Sequence, residues 1–114
     1  MPRNMSFKFT ETQMRERTKF VTRRNGWEDA EVGEILNACV QCQGLKKGQT
    51  VQRICQIRVT EVRREPLNAM IGEYLECMLV GFPLWSTGDF VQFYCKANKC
   101  KPDKIITRIR FEYL

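Results

Sequence analysis

Apolar and polar residues alternate along residues 6–10, SFKFT, which predicts an opening strand with Phe7 and Phe9 on one face. The run that follows, ETQMRERT, is rich in helix formers. A short helix is expected there, with Thr10 as its N-cap and Met14 facing inward. KFVTRR reads as strand again and ends at the turn pair Asn25-Gly26. After Gly33 comes EILNACVQC, a further strand. The loop QGLKKGQT follows, bracketed by Gly44 and Gly48, with Lys46 and Lys47 at its tip. The longest alternating run is VQRICQIRVTEVRRE, where Cys55, Ile57 and Val59 share one face and Gln56, Arg58 and Thr60 the other. Val62 breaks that parity, so a bulge or strand end is predicted near Glu61.

Beyond Pro66 the period lengthens. Leu67, Met70, Ile71, Tyr74, Cys77 and Met78 fall at helical spacing and predict an amphipathic helix, with Gly81 as its stop. Ser86 or Thr87 caps a second helix through DFVQFYCKANK, and Asp89 suits its first turn. KIITRIRFEYL returns to alternation as a closing strand, with Ile105, Thr107, Ile109, Phe111 and Tyr113 on one face. Strands joined mostly by hairpins, with helices covering the side, imply an α+β domain built on a small curved sheet or barrel. Residues 1–5 are expected to be a flexible N-terminus and residues 6–114 a single domain, since 114 residues leave no room for a second core.

Composition narrows the class. With 43% hydrophobic and 28% charged residues the chain is an ordinary globular one, and a disordered chain is excluded. No apolar run has the length of a signal peptide or a bilayer span, so a cytoplasmic location with no membrane partner is expected. The six cysteines are then expected as reduced thiols. No motif calls for a cofactor. Histidine is absent, so any catalysis has to rest on lysine, carboxylate, hydroxyl or thiolate.

Charge changes the picture more. The net charge is +6, and Arg15, Arg17, Lys19, Arg23 and Arg24 supply five of the nineteen cations within ten residues. Lys46 with Lys47, and Arg63 with Arg64, form two smaller clusters. In RTKFVTRRNGW, guanidinium, ammonium, hydroxyl and indole groups stand together. Strand alternation would send some of these cations into a cleft, where arginine binds phosphate through paired donors. Trp27 would line a pocket and stack on a base, or else plug the barrel. The plain alternative for the charge run is a solvated basic face. Cys39 with Cys42, and Cys95 with Cys100, supply four thiols, the number a structural zinc needs. Cys39 and Cys42 have opposite parity on one strand, however, so they are expected to diverge as buried or half-buried thiols, and no metal is expected.

Taken together, RTKFVTRRNGW, VGEIL, QGLKKGQ, IRVTEVRREPLNAM, VGFP, DFVQFYCKANKC and TRIRFEYL resemble the ASCH domain (activating signal co-integrator homology), in the small stand-alone form common in phage and prophage genomes. The resemblance covers nearly the whole chain from Phe7 onward. It implies a PUA-like β-barrel with flanking helices and a cleft for RNA or nucleotides, along which the basic segment lies. Some small members are amidohydrolases that deacylate N4-acetylcytidine with a threonine nucleophile, a lysine base and a glutamate. Lys19 and Thr22 fall on the lysine and threonine, and a neutral lysine can activate a hydroxyl. Where related sequences read E-G-F-P this chain reads VGFP, so Val80 stands at the acidic position. Glu76 lies one turn away, about 6 Å along the helix axis. Phe20 and Arg110 also depart from the family pattern.

These departures favour binding over catalysis. The expectation is an RNA- or nucleotide-binding domain in which Arg17, Lys19, Arg23 and Arg24 contact phosphate or carbonyl groups. Trp27 stacks on a base, and Lys46 and Lys47 add peripheral attraction. The alternative is an amidohydrolase on N4-acylated cytosine nucleosides using Lys19 and Thr22. A third reading is a phage protein that binds and modulates a host protein.

Overall fold

The long alternating run is the spine of the sheet. In the computed structural model, which describes residues 1–42 and 45–114, it forms β4 (Arg53–Pro66) and pairs antiparallel with β5 (Ile105–Tyr113). The register slips between Val59 and Glu61, where the broken parity at Val62 places an irregularity. On its other side β4 pairs antiparallel with β3 (Ile35–Cys39), and β3 pairs parallel with β1 (Arg3–Ser6). β2 (Val21–Arg24) lies antiparallel on the far edge of β5. The order β1-β3-β4-β5-β2 makes a mixed five-stranded sheet with β1 and β2 at its edges.

Helices complete the chain. α1 (Glu11–Glu16) sits between β1 and β2 and buries Met14. Thr10 holds the N-cap position without a side-chain cap bond. A 3-10 turn (Leu67–Met70), α2 (Tyr74–Leu79) and α3 (Thr87–Asn98) lie between β4 and β5. Ser86 caps α3, its hydroxyl accepting from the Asp89 amide at 3.0 Å.

The sheet is buried on both faces, and each face carries its own core. Met5, Phe7, Leu36, Ile57, Val59, Ile109 and Phe111 fill one. Val21, Leu67, Met70, Cys77, Val80, Phe90 and Ile106 fill the other, between the sheet and the helices. This double burial explains why β5 buries Thr107, Ile109 and Phe111 on one face and also Ile106 and Arg108 on the other.

Three elements differ from the expected ones. Residues 1–5 are not a loose leader: Arg3 opens β1, opposite Leu36, and Met5 is fully buried. The first strand accordingly ends at Ser6, and Phe7 and Phe9 do not share a face, Phe7 being buried and Phe9 61% exposed. The helix expected after Pro66 is broken at Gly72, whose φ of 86° belongs to the left-handed region and whose amide donates to Thr87 Oγ1 at 3.0 Å. The break turns Ile71, Tyr74 and Met78 outward while Leu67, Met70 and Cys77 stay buried. Finally, β3 stops at Cys39, so Cys42 lies beyond the strand. The loop expected between Gly44 and Gly48 falls partly outside the described residues.

Candidate functional site

β2 carries the basic segment, and its alternation divides the cations. Thr22 lies opposite Ile109 and Arg24 opposite Thr107, so these side chains share one face of the sheet. Val21 and Arg23 take the other face, and Arg23 lies opposite Arg108.

The Arg23 side of β2 is electrically closed. Glu76 of α2 accepts from Arg23 Nη2 at 2.7 Å and from Arg108 Nε and Nη2 at 2.7 and 3.0 Å. Glu65 pairs with Arg23 at 3.1 Å and Glu61 with Arg108 at 2.6 Å. Burial alone would raise the Glu76 pKa, but the hydrogen bonds and charges of Arg108 and Arg23 outweigh it and hold the carboxyl below its usual value. Arg23 also borders the cavity on the Thr22 side, yet its Nη1 and Nη2 are committed to this cluster.

The Thr22 and Arg24 side opens into a cavity of about 510 Å³ enclosed by the β1–α1 connection, β2 and α3. Lys19, Thr22, Arg24 and Trp27 all line it, and Phe90, Phe93 and Tyr94 of α3 form an aromatic wall. Arg24 reaches across to the other sheet edge, where its Nη2 hydrogen-bonds the Ser6 carbonyl. Its Nε donates to Thr22 Oγ1 at 2.9 Å, and its guanidinium lies 4.7 Å from the centre of the Phe7 ring. Burial brings the Arg24 pKa down to about 10. No carboxylate pairs with Arg24 or Lys19 among the described residues.

Lys19 is 5% exposed, and its Nζ donates to the Val80 main-chain carbonyl at 2.9 Å. Burial, followed by repulsion from Arg24, holds the amine well below the ordinary lysine pKa. Among the described residues no hydrogen bond joins Lys19 to Thr22, whose hydroxyl is taken by Arg24. The Val80 side chain is fully buried in the helix-side core and does not line the cavity.

Trp27 sits just past the Asn25-Gly26 turn with φ 55°, a left-handed position. Arg3 lies 4.5 Å over its ring and is itself paired with Asp29 and Glu34 at 3.1 and 2.9 Å. The remaining expected contacts lie elsewhere. Arg17 closes α1 with φ 60°, stacks 5.2 Å over Tyr113 and does not line the cavity. Lys46 and Lys47 are exposed and outside the lining, Lys46 being tied through its amide to Gln49 Oε1 at 2.6 Å. Phe20, one of the departures from the family pattern, packs edge-on against Tyr113 at 5.8 Å and does not line the cavity. Arg110 is exposed.

The thiols meet where divergence was expected. Cys42 lies past the end of β3, at the cavity wall and beside Cys39; the Cys39 thiol donates to the Asn37 carbonyl at 3.4 Å, and its pKa is pushed up to about 11 by burial and then by Cys42. Among the described residues no three acidic or thiol groups gather as metal ligands, and no helix is long and apolar enough to cross a membrane.

Sequence reasoning assigned Phe90 and Tyr94 to a helix without giving them a part in the cleft. It also missed the Arg23–Glu76–Arg108 cluster. The period of α3 marks Phe90 and Tyr94 as one apolar stripe, which is the signal of a core face. No sequence feature separates the half of that stripe that meets the cavity.

No protein-family model matches the chain, and no curated protein matches it in sequence. Among solved structures it is similar to the hypothetical protein PH0355, at 13% identity over 99% of this chain and 97% of that one, with a TM-score of 0.64. It is similar to EF3133 of Enterococcus faecalis V583, described as DUF984, at 17% identity over 100% and 80%, with a TM-score of 0.67. It is also similar to an ASCH domain of Lactobacillus crispatus JV V101, at 12% identity over 97% and 78%, with a TM-score of 0.59. Identities this low speak for the fold alone. That fold is an ASCH or PUA-like α+β architecture, a curled five-stranded half-barrel with flanking helices.

Proposed function

We propose that the cavity binds RNA or a nucleotide. One observation carries this reading. Lys19 is buried and Arg24 half-buried at a cavity with no carboxylate beside them among the described residues, whereas Arg23, next to Arg24 on β2, and Arg108, opposite Arg23 on β5, are neutralised by Glu61, Glu65 and Glu76. Enclosed positive charge without a counter-ion is costly, and an anionic ligand relieves it. Phe90, Phe93 and Trp27 add flat apolar surface beside that charge, the combination that suits a base attached to a phosphate. The ASCH-like fold supports the reading at the level of general class.

Lys19, Arg24 and Trp27 carry the binding in this reading, while Lys46 and Lys47 contribute only distant attraction. Arg23 and Arg17 are left out of the contact set. Binding comes ahead of hydrolysis because the Lys19 amine is held by a carbonyl, the Thr22 hydroxyl by Arg24, and the Val80 side chain lies outside the cavity.

Tryptophan fluorescence titrated with short single-stranded RNAs and with mononucleotides at low salt tests this. The expected result is saturable binding that weakens as salt rises, since each neutralised phosphate releases counterions. Absence of binding to every probe at low salt defeats the reading.

A further inference from the structure

We propose that Tyr94 is the specificity-determining residue of this cleft, its buried and unpartnered hydroxyl taking up the hydrogen-bonding edge of a single nucleobase. The inference rests on the nucleotide-binding reading and narrows it from a charged cleft to a base pocket.

Tyr94 lies on α3 one turn beyond Phe90, with Asn98 a turn further on. The residue is 5% exposed and lines the cavity. Its hydroxyl is buried and has no hydrogen-bond partner among the described residues. A buried hydroxyl without a partner is rare, because leaving water without replacing its hydrogen bonds is costly. This one belongs to a residue at the wall of a cavity large enough for a small organic ligand, so a bound molecule can supply the missing partner.

The surroundings define what that ligand atom is. Burial raises the tyrosine pKa to about 12, so at neutral pH the hydroxyl is intact and both donates and accepts. Charge on the ligand is better met by Lys19 and Arg24, which leaves Tyr94 for an uncharged polar atom. Phe90 and Phe93, whose ring centres are 6.5 Å apart, line the same cavity with apolar surface. A flat ring with apolar faces, a polar uncharged edge and an attached anion is a nucleotide base. A base can reach such an enclosed wall only when unpaired and turned out of any stack.

The test compares wild type with Tyr94→Phe, which removes the oxygen and keeps the ring. Affinities for the adenine, guanine, cytosine and uracil mononucleotides are read by calorimetry at low salt, with homopentamers of each base in parallel. Wild type is expected to separate its best and worst bases by about tenfold or more, and Tyr94→Phe to compress that spread to about twofold. Pentamers binding more tightly than mononucleotides identify an RNA strand as the source of the base. Equal affinities identify a free nucleotide, and both results support the assignment provided the spread depends on Tyr94.

Thermal unfolding without ligand gives a second reading. If the hydroxyl is unpartnered in the free protein, Tyr94→Phe should unfold at the same temperature or a few degrees higher. A variant that keeps the wild-type order and spread of affinities overturns the proposal, and so does one that melts several degrees lower. Wild type binding all four bases equally removes the role of Tyr94 but leaves the cleft's function standing. Wild type binding none of them removes both.

Discussion

Lys19 Nζ donates to the main-chain carbonyl of Val80 at 2.9 Å, while the Val80 side chain turns into the core against the helices. Position 80, where the sequence resemblance implied an acid, therefore meets the lysine through its backbone only. A carbonyl holds the amine in place but neither accepts a proton nor returns one. Among the described residues, Lys19 and Thr22 share the cavity without forming a proton-transfer chain to a carboxylate.

Val80→Glu should then fail as a repair. Its carboxylate would enter a core made of Val21, Leu67, Met70 and Cys77, and an uncompensated charge there costs stability by about 3 kcal/mol or more. A lowered unfolding temperature is expected. Neither the native chain nor the variant should release cytidine from N4-acetylcytidine, followed by absorbance. Cytidine release by the variant alone would show that the new carboxylate had found Lys19 after all.

Lys19 itself works against the fold. Its pKa is lower in the folded chain than in the unfolded chain, so between those two values only the unfolded chain holds the extra proton. Stability consequently rises with pH across that window, and below it Lys19 is a buried charge. Lys19→Met keeps the length and removes the amine. We expect it to stabilise the ligand-free protein at neutral pH and to flatten the alkaline rise. It should also lose nucleotide binding. Chemical denaturation at several pH values checks this, and a variant less stable than wild type at neutral pH would contradict it.

Glu76 has the opposite sign. Arg108 and Arg23 depress its pKa, so it contributes stability above the usual carboxylate value that is lost as pH falls through the depressed one. Glu76→Gln leaves two buried guanidiniums short of their main acceptor and should cost about 3–5 kcal/mol near neutral pH. Thermal scans from neutral to acid pH should show the gap to wild type narrowing as acid removes the native contribution. A constant gap would place the effect in packing instead of charge.

How far the sequence carried this picture depends on the range of the interactions. Local patterns were readable: the Asn25-Gly26 turn, the Ser86 cap, the broken parity at Val62 and the strand character of β2 all rest on neighbours in the chain. The basic run was readable as a feature, but its division was not. Alternation separates Arg23 from Arg24, yet only the arrival of Glu76 from α2, 53 residues later, decides which side is neutralised. Gly72 lay inside an otherwise convincing helical period, and its left-handed backbone is fixed by a contact to Thr87. Met5 is buried because β1 pairs with β3 in parallel, a long-range choice that no five-residue pattern announces. Tyr94 was hidden by its own apolar ring, which reads as core whether or not its oxygen meets a cavity.

The same lysine links binding to protons. In the free protein Lys19 has no carboxylate beside it among the described residues, and its amine is depressed chiefly by burial and then by Arg24. A phosphate entering the cavity adds a negative charge near both groups, which favours the ammonium form and raises the Lys19 pKa. Between the free and bound values, each binding event takes up protons from solution. Affinity should therefore weaken as pH rises through that interval, up to tenfold per pH unit for one proton. Calorimetry of mononucleotide binding in two buffers of different ionisation enthalpy reads the proton count directly. An uptake approaching one proton in wild type, and none in a Lys19→Arg variant that keeps the charge fixed, is the expected pair of results. Proton release, or an equal uptake in both proteins, would mean that the anion does not sit beside Lys19.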